Sequence, residues 1–116
     1  MRHRKKQNKL GRKKSSRKSM LTNLIASLIL YEKINTTRAR AKALQPKFEK
    51  MISLSKTKSF SNKQKLSVLI RDKNAEKKVR EVLSEKYKNR QGGYTRIISL
   101  GLRKGDDAKL VQIELV

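Results

Sequence analysis

Apolar residues recur along most of this chain at helical spacing and switch to strict alternation near its end. Leu21, Leu24, Ile25 and Leu28 stand at i, i+3, i+4 and i+7, which lays one apolar stripe along a helix. That helix is predicted to end near Tyr31, with Ser15 or Ser16 as its N-cap. Glu32–Thr37 is short and carries Ile34 beside two threonines, the chemistry of a brief strand. Thr37 then caps a second helix, on which Ala41, Leu44, Phe48, Met51 and Ile52 trace one face. Pro46 falls inside that pattern. It lacks an N–H and crowds the carbonyl of Lys42, so a kink or short break is expected there.

A third, short helix beginning at Ser61 is predicted from Leu66, Leu69 and Ile70. Asp72 or Asn74 caps a fourth, whose stripe is Ala75, Val79, Val82, Leu83 and Tyr87, with Glu76 and Arg80 spaced to pair on its surface. Gly92 and Gly93 end the helical part. Two strands follow, Thr95–Leu102 and Lys109–Val116, alternating through Ile98, Leu100 and Leu102 and through Val111, Ile113 and Leu115. Lys104–Ala108 between them has turn chemistry, so they form a hairpin. With the strand at Ile34 this predicts an α+β fold: about four helices packed on one face of a three-stranded sheet, in the order α-β-ααα-ββ.

Charge changes the picture most at the beginning of the chain. The first 18 residues hold ten of the 32 Lys and Arg, and no acid occurs before Glu32. The formal net charge is +23, and the residues after that opening run still carry +13. Such a run repels itself and buries too little apolar surface to offset the entropy of ordering it. Residues 1–17 are therefore expected to be an extended basic arm, and 18–116 a single folded domain. Fully stretched, the arm would reach about 60 Å. Its missing counter-charge is best supplied by a polyanion, and a body that is also basic extends that expectation beyond the arm.

Other chemistries find no support. Cysteine is absent, and the one histidine, His3, sits among cations, so neither a disulfide framework nor a metal site is expected. Met20–Leu30 imitates the apolar core of a secretory signal, but Thr22, Asn23 and Ser27 interrupt it and it is too short to span a bilayer. Asp106 and Asp107 form the one adjacent carboxylate pair, in a turn where such side chains bond their own backbone. No glycine-rich phosphate loop or nucleophile elbow occurs. The expectation is no enzyme, no cofactor, no membrane, no small-molecule substrate and a cytoplasmic location.

Three groups of residues suit phosphate. The arm offers Arg2, Arg4, Lys5, Lys6, Lys9, Arg12, Lys13, Lys14, Arg17 and Lys18. Its arginines can fork onto phosphate oxygens while its lysines act as point charges. At the second helix, Thr36 and Thr37 precede Arg38, Arg40 and Lys42, cations that oppose the helix dipole unless an anion sits nearby. The third group is Arg90, Gly92, Gly93, Tyr94 and Arg96, where paired glycines permit close backbone approach and Tyr94 is a candidate to stack on a base. With aromatics at 4%, shape and phosphate contacts are expected to dominate over base stacking.

These residues also carry a resemblance. Met1-Arg2-His3-Arg4, Ile34-x-Thr36-Thr37 with Arg40-Ala41-Lys42, Gly92-Gly93-Tyr94-Thr95-Arg96-Ile97 and the ending Ile113-Glu114-Leu115-Val116 resemble the bacterial large-subunit ribosomal protein family numbered seventeen. The likeness runs from first residue to last. It implies a two-layer α/β fold, an arm that binds large-subunit ribosomal RNA, and a place near the nascent-chain exit tunnel beside other large-subunit proteins. It also implies a structural rather than enzymatic role. The expected RNA contacts are then the arm from Arg2 to Lys18, the helix start from Thr36 to Lys42 and the loop from Arg90 to Arg96. A small DNA-compacting protein is the rival of another class, although no DNA-docking element or dimer-forming helix is evident. A cationic membrane-active protein would require the first helix to be exposed.

Overall fold

A computed structural model describes residues 13–116. Helix α1 spans Lys14–Tyr31 and leads through Glu32 into strand β1, Lys33–Thr37. Helices α2 (Arg38–Lys56) and α3 (Phe60–Ile70) follow. Helix α4 occupies residues 73–86, with a π-helical turn at Val79–Leu83 between its two α-helical ends. Strands β2 (Thr95–Leu102) and β3 (Lys109–Leu115) complete the chain. The sheet is antiparallel in the order β1-β3-β2, so the hairpin places its second strand at the centre. Four helices and three strands in this order are the predicted α+β architecture.

The core lies between the helices and the inner face of the sheet. Leu28, Leu44, Phe48, Met51, Ile52, Val79 and Leu83 are fully buried there against Ile113 and Val111. In α1 the buried stripe is Leu21, Ile25, Leu28 and Ile29, with Leu24 half-buried beside it. One row across the sheet is Ile34, Ile113 and Ile97, whose side chains join this core.

Several local expectations need correction. Helix α1 begins at Lys14 with Lys13 at the cap position, and no side chain caps it, so Ser15 and Ser16 are inside the helix. The stretch read as extended to Arg17 is thus helical from Lys14. Helix α3 begins at Phe60, one residue before the predicted Ser61, and Ser59 caps it: its hydroxyl accepts from the Asn62 N–H at 3.2 Å. Asp72 is the cap of α4, accepting from Ala75 N–H at 3.0 Å. Helix α2 runs unbroken through Pro46. Pro46 is exposed, whereas Leu44 and Phe48 on either side of it are buried, so packing holds the helix where local chemistry would open it.

Two predicted stripes are also re-aimed. The π turn closes through the Ser84 N–H onto the Val79 carbonyl, one residue further than an α-turn. This rotates Val82 outward, where it is 52% exposed, and brings Ser84 inward with its hydroxyl donating to the Arg80 carbonyl at 2.5 Å. In β2 the ladder slips between Ser99 and Gly101, leaving Leu100 as the inserted residue of a bulge. Ile98, before the bulge, already faces outward, and Ile98, Leu100 and Leu102 do not form a buried stripe. All three are exposed, and the inward positions of β2 are Thr95 and Ile97.

Candidate nucleic-acid interface

The cations sort by where the fold carries them. Arg2, Arg4, Lys5, Lys6, Lys9 and Arg12 lie outside the described residues. Lys13, Lys14 and Lys18 are exposed and Arg17 half-buried, all at the opening of α1. No acid stands in that first turn, so cations surround the positive end of the helix dipole, a disposition that an anion would relieve.

At the β1–α2 junction Thr37 accepts from Arg40 N–H at a long 3.5 Å, capping α2 as its sequence position suggested. Arg38 and Lys42 are exposed and Arg40 is half-buried, and here too no acid occupies the first turn. Thr36 is different. It is buried on the inner sheet face opposite Val111, so its side chain serves the core and is withdrawn from any RNA.

The glycine loop and the start of β2 are bound to α2 from Gln45 onward. Gln45 donates to the Thr95 hydroxyl at 3.0 Å, and the Tyr94 N–H donates to Glu49 Oε1 at 2.9 Å. Lys56 Nζ donates to the Arg90 carbonyl and lies 4.7 Å from the Tyr94 ring centre. Gly92 and Gly93 have φ of 94° and 62°, a consecutive left-handed pair that side chains resist. The Arg90 Nε–H donates to the Gly93 carbonyl at 3.1 Å, closing the loop on itself.

Tyr94 corrects the sequence reading. Its ring is 1% exposed, packed on Tyr87 with centroids 5.1 Å apart, and its hydroxyl donates to the Arg90 carbonyl at 3.1 Å. No ring face is left for a base. Burial pushes its phenol up, but hydrogen bonding to Lys56 and Ser53 and the Lys56 charge bring it below the usual tyrosine value. Arg96 remains exposed but is held by Glu114, at 2.9 Å from Nη2 and 3.0 Å from Nε. An RNA phosphate would have to compete with that carboxylate.

The β1–α2 junction and the glycine loop do not converge on one patch. The sheet row Lys33–Glu114–Arg96 lies at one end of the ladder and Thr37–Leu110–Gly101 at the other. Helix α2 crosses between them, with Arg38 at one end and Glu49, about 16 Å further along, at the loop. The candidate cations of these two groups are thus spread over the body. A further set went unnoticed in the sequence: Lys47, Lys50 and Lys65 line one groove together with Lys18. Its signal was the absence of acids from residues 50–71, adjoining helices that hold almost none.

Among the described residues no three His, Cys, Asp or Glu side chains gather to hold a metal, and no helix is long and apolar enough to cross a membrane. The profile of the family described as Ribosomal protein L17 matches residues 20–116. A protein of Thermoanaerobacter sp. described as large ribosomal subunit protein bL17 is 46% identical over 108 residues, covering 93% of this chain and 96% of that relative. Proteins of the same description from Bradyrhizobium diazoefficiens and Novosphingobium aromaticivorans are 44% and 45% identical over all 116 residues, covering 84% and 82% of those relatives. On the strength of matches that run the length of the fold just described, this chain belongs to the Ribosomal protein L17 family.

Proposed function

We propose that this chain is a structural component of the large ribosomal subunit that binds ribosomal RNA through its basic arm and the basic surfaces of its body. The single observation that carries the reading is its likeness, over its whole length, to proteins named for that subunit. Charge supports it: ten cations in the first 18 residues, and helix starts on α1 and α2 without an acid. Arg2, Arg4, Lys5, Lys6, Lys9, Arg12, Lys13, Lys14, Arg17 and Lys18 neutralise phosphates, joined by Arg38, Arg40 and Lys42 at the start of α2. Arg90 and Arg96 border the glycine loop, where Gly92 and Gly93 let an RNA backbone approach.

In this reading the protein sits near the nascent-chain exit tunnel, beside other large-subunit proteins, within cytoplasmic ribosomes. It carries out no catalysis. Sucrose-gradient sedimentation of cell extract tests it: the protein is expected in stoichiometric amount with large subunits. Recovery with DNA after ribonuclease digestion, and absence from subunits, would instead assign it to DNA compaction.

A further inference from the structure

We propose that the groove where α1, α2 and α3 meet is a docking site for an acidic amphipathic helix of a protein partner. The groove encloses about 600 Å³. Leu21, Ile25 and Met51, which belong to the core, line it, and Leu54, Val68 and Leu69 extend its apolar lining. Val68 is 63% exposed and Leu69 38%, so the lining continues the core out into water. Such surface gains by being covered.

The border of the groove is uniformly cationic. Lys18 comes from α1, Lys47 and Lys50 from α2, and Lys65 from α3. Among the described residues none of the four has a carboxylate within salt-bridge distance. The three helices contain a single acid, Glu49, and its carboxylate is engaged by the Tyr94 N–H at 2.9 Å.

A ligand here must offer hydrocarbon to the lining and negative charge to the lysines at once. An amphipathic helix with an apolar stripe at i, i+3, i+4 and i+7 flanked by Glu or Asp does both. Charge excludes the alternatives from within: the chain's own N-terminal run and a second copy at +23 would each bring more positive charge to the lysines. RNA satisfies the lysines but not the lining. The groove has no aromatic ring on which a base could stack, and the Thr22 hydroxyl already donates to the Lys18 carbonyl at 2.9 Å.

Fluorescence anisotropy with the full-length protein tests this, using a labelled 18-residue peptide with leucines in a helical stripe among glutamates. A peptide of the same composition with scattered leucines is the comparison. The striped peptide is expected to bind at least about tenfold more tightly. Val68→Lys separates packing from charge, because it adds a cation while spoiling the lining. About a tenfold loss is expected, and unchanged or tighter binding would overturn the proposal. Lys50→Gln should weaken binding severalfold at low salt, whereas Leu102→Lys, at an exposed hairpin position outside the lining, should leave it unaltered. If Val68→Lys melts abnormally, Val68→Ser takes its place. A hairpin RNA whose affinity falls with Val68→Lys as far as the peptide's does would give the groove to RNA, and the proposal would fail.

Discussion

Tyr94 joins the glycine loop to the core through its ring against Tyr87 and its hydroxyl on the Arg90 carbonyl. Replacing it with Phe keeps the packing and removes the hydroxyl with its bond to the Arg90 carbonyl and its contacts with Lys56 and Ser53, while the Arg90 carbonyl retains Lys56 Nζ as a donor. We expect a loss of about 0.5–1 kcal/mol in urea unfolding for Tyr94→Phe, against about 3–5 kcal/mol for Tyr94→Ala. Equal losses would mean that the ring contributes little beyond its hydroxyl. At the hairpin turn the Arg103 guanidinium grips Asp106 side-on at 2.9 and 2.5 Å, and the Ala108 N–H adds a bond at 3.3 Å. Together these hold the carboxyl down at about 2. Because the folded value lies below the ordinary one near 3.8, the turn is favoured above that ordinary value and loses the contribution as pH falls through about 2. A carboxyl-detected NMR titration should give that midpoint, and Arg103→Ala should return it toward the ordinary range.

The elements show where local chemistry and packing disagree. Thr37 and Asp72 cap the helices their positions suggest, because a short polar side chain can satisfy amides that nothing else reaches. Pro46 argues for a break that does not occur. An interior proline costs about 3 kcal/mol relative to alanine, part of which is offset by a stiffer unfolded chain. Pro46→Ala is therefore expected to raise stability by about 1–2 kcal/mol, read as a higher urea midpoint at unchanged slope. No gain would show that α2 is already bent to accommodate the ring. The π turn in α4 and the bulge in β2 have a different origin. Each inserts one residue into a regular repeat, and everything beyond it is re-aimed: Val82 outward, Ser84 inward, and the alternation after Ser99 broken.

At the scale of the molecule, the densest run of charge precedes the core in the chain, although the body is basic as well. Among the described residues the buried ones all lie within 21–113, and the sequence of residues 1–12 offers only Met1 and Leu10 as apolar side chains. Removing residues 1–12 should therefore leave cooperative melting intact. The same deletion takes away Arg2, Arg4, Lys5, Lys6, Lys9 and Arg12, and should flatten the logarithmic salt dependence of RNA binding by up to about 4–5 units. An unaltered slope would place the phosphate contacts on the body. Deleting to Arg17 is a harsher change, because it removes the first turn of α1, in which Arg17 is half-buried.

How far the chain could be read in advance follows from the range of the forces involved. Helix and strand order, the two caps, the hairpin and the basic opening run were legible, because each depends on residues within a few positions of one another. Periodicity also located most of the core: Leu28, Leu44, Phe48, Leu83 and Ile113 are buried as their spacing requires. Contacts distant in sequence were another matter. Tyr94 became a core residue because Tyr87 and Lys56 meet its ring, and Glu49 its backbone N–H, from other turns. Four lysines from three helices became one cationic border because packing brought those helices together. Local pattern states which residues prefer burial or a turn, but which neighbours share a surface depends on how the elements pack, and one inserted residue is enough to redirect a face.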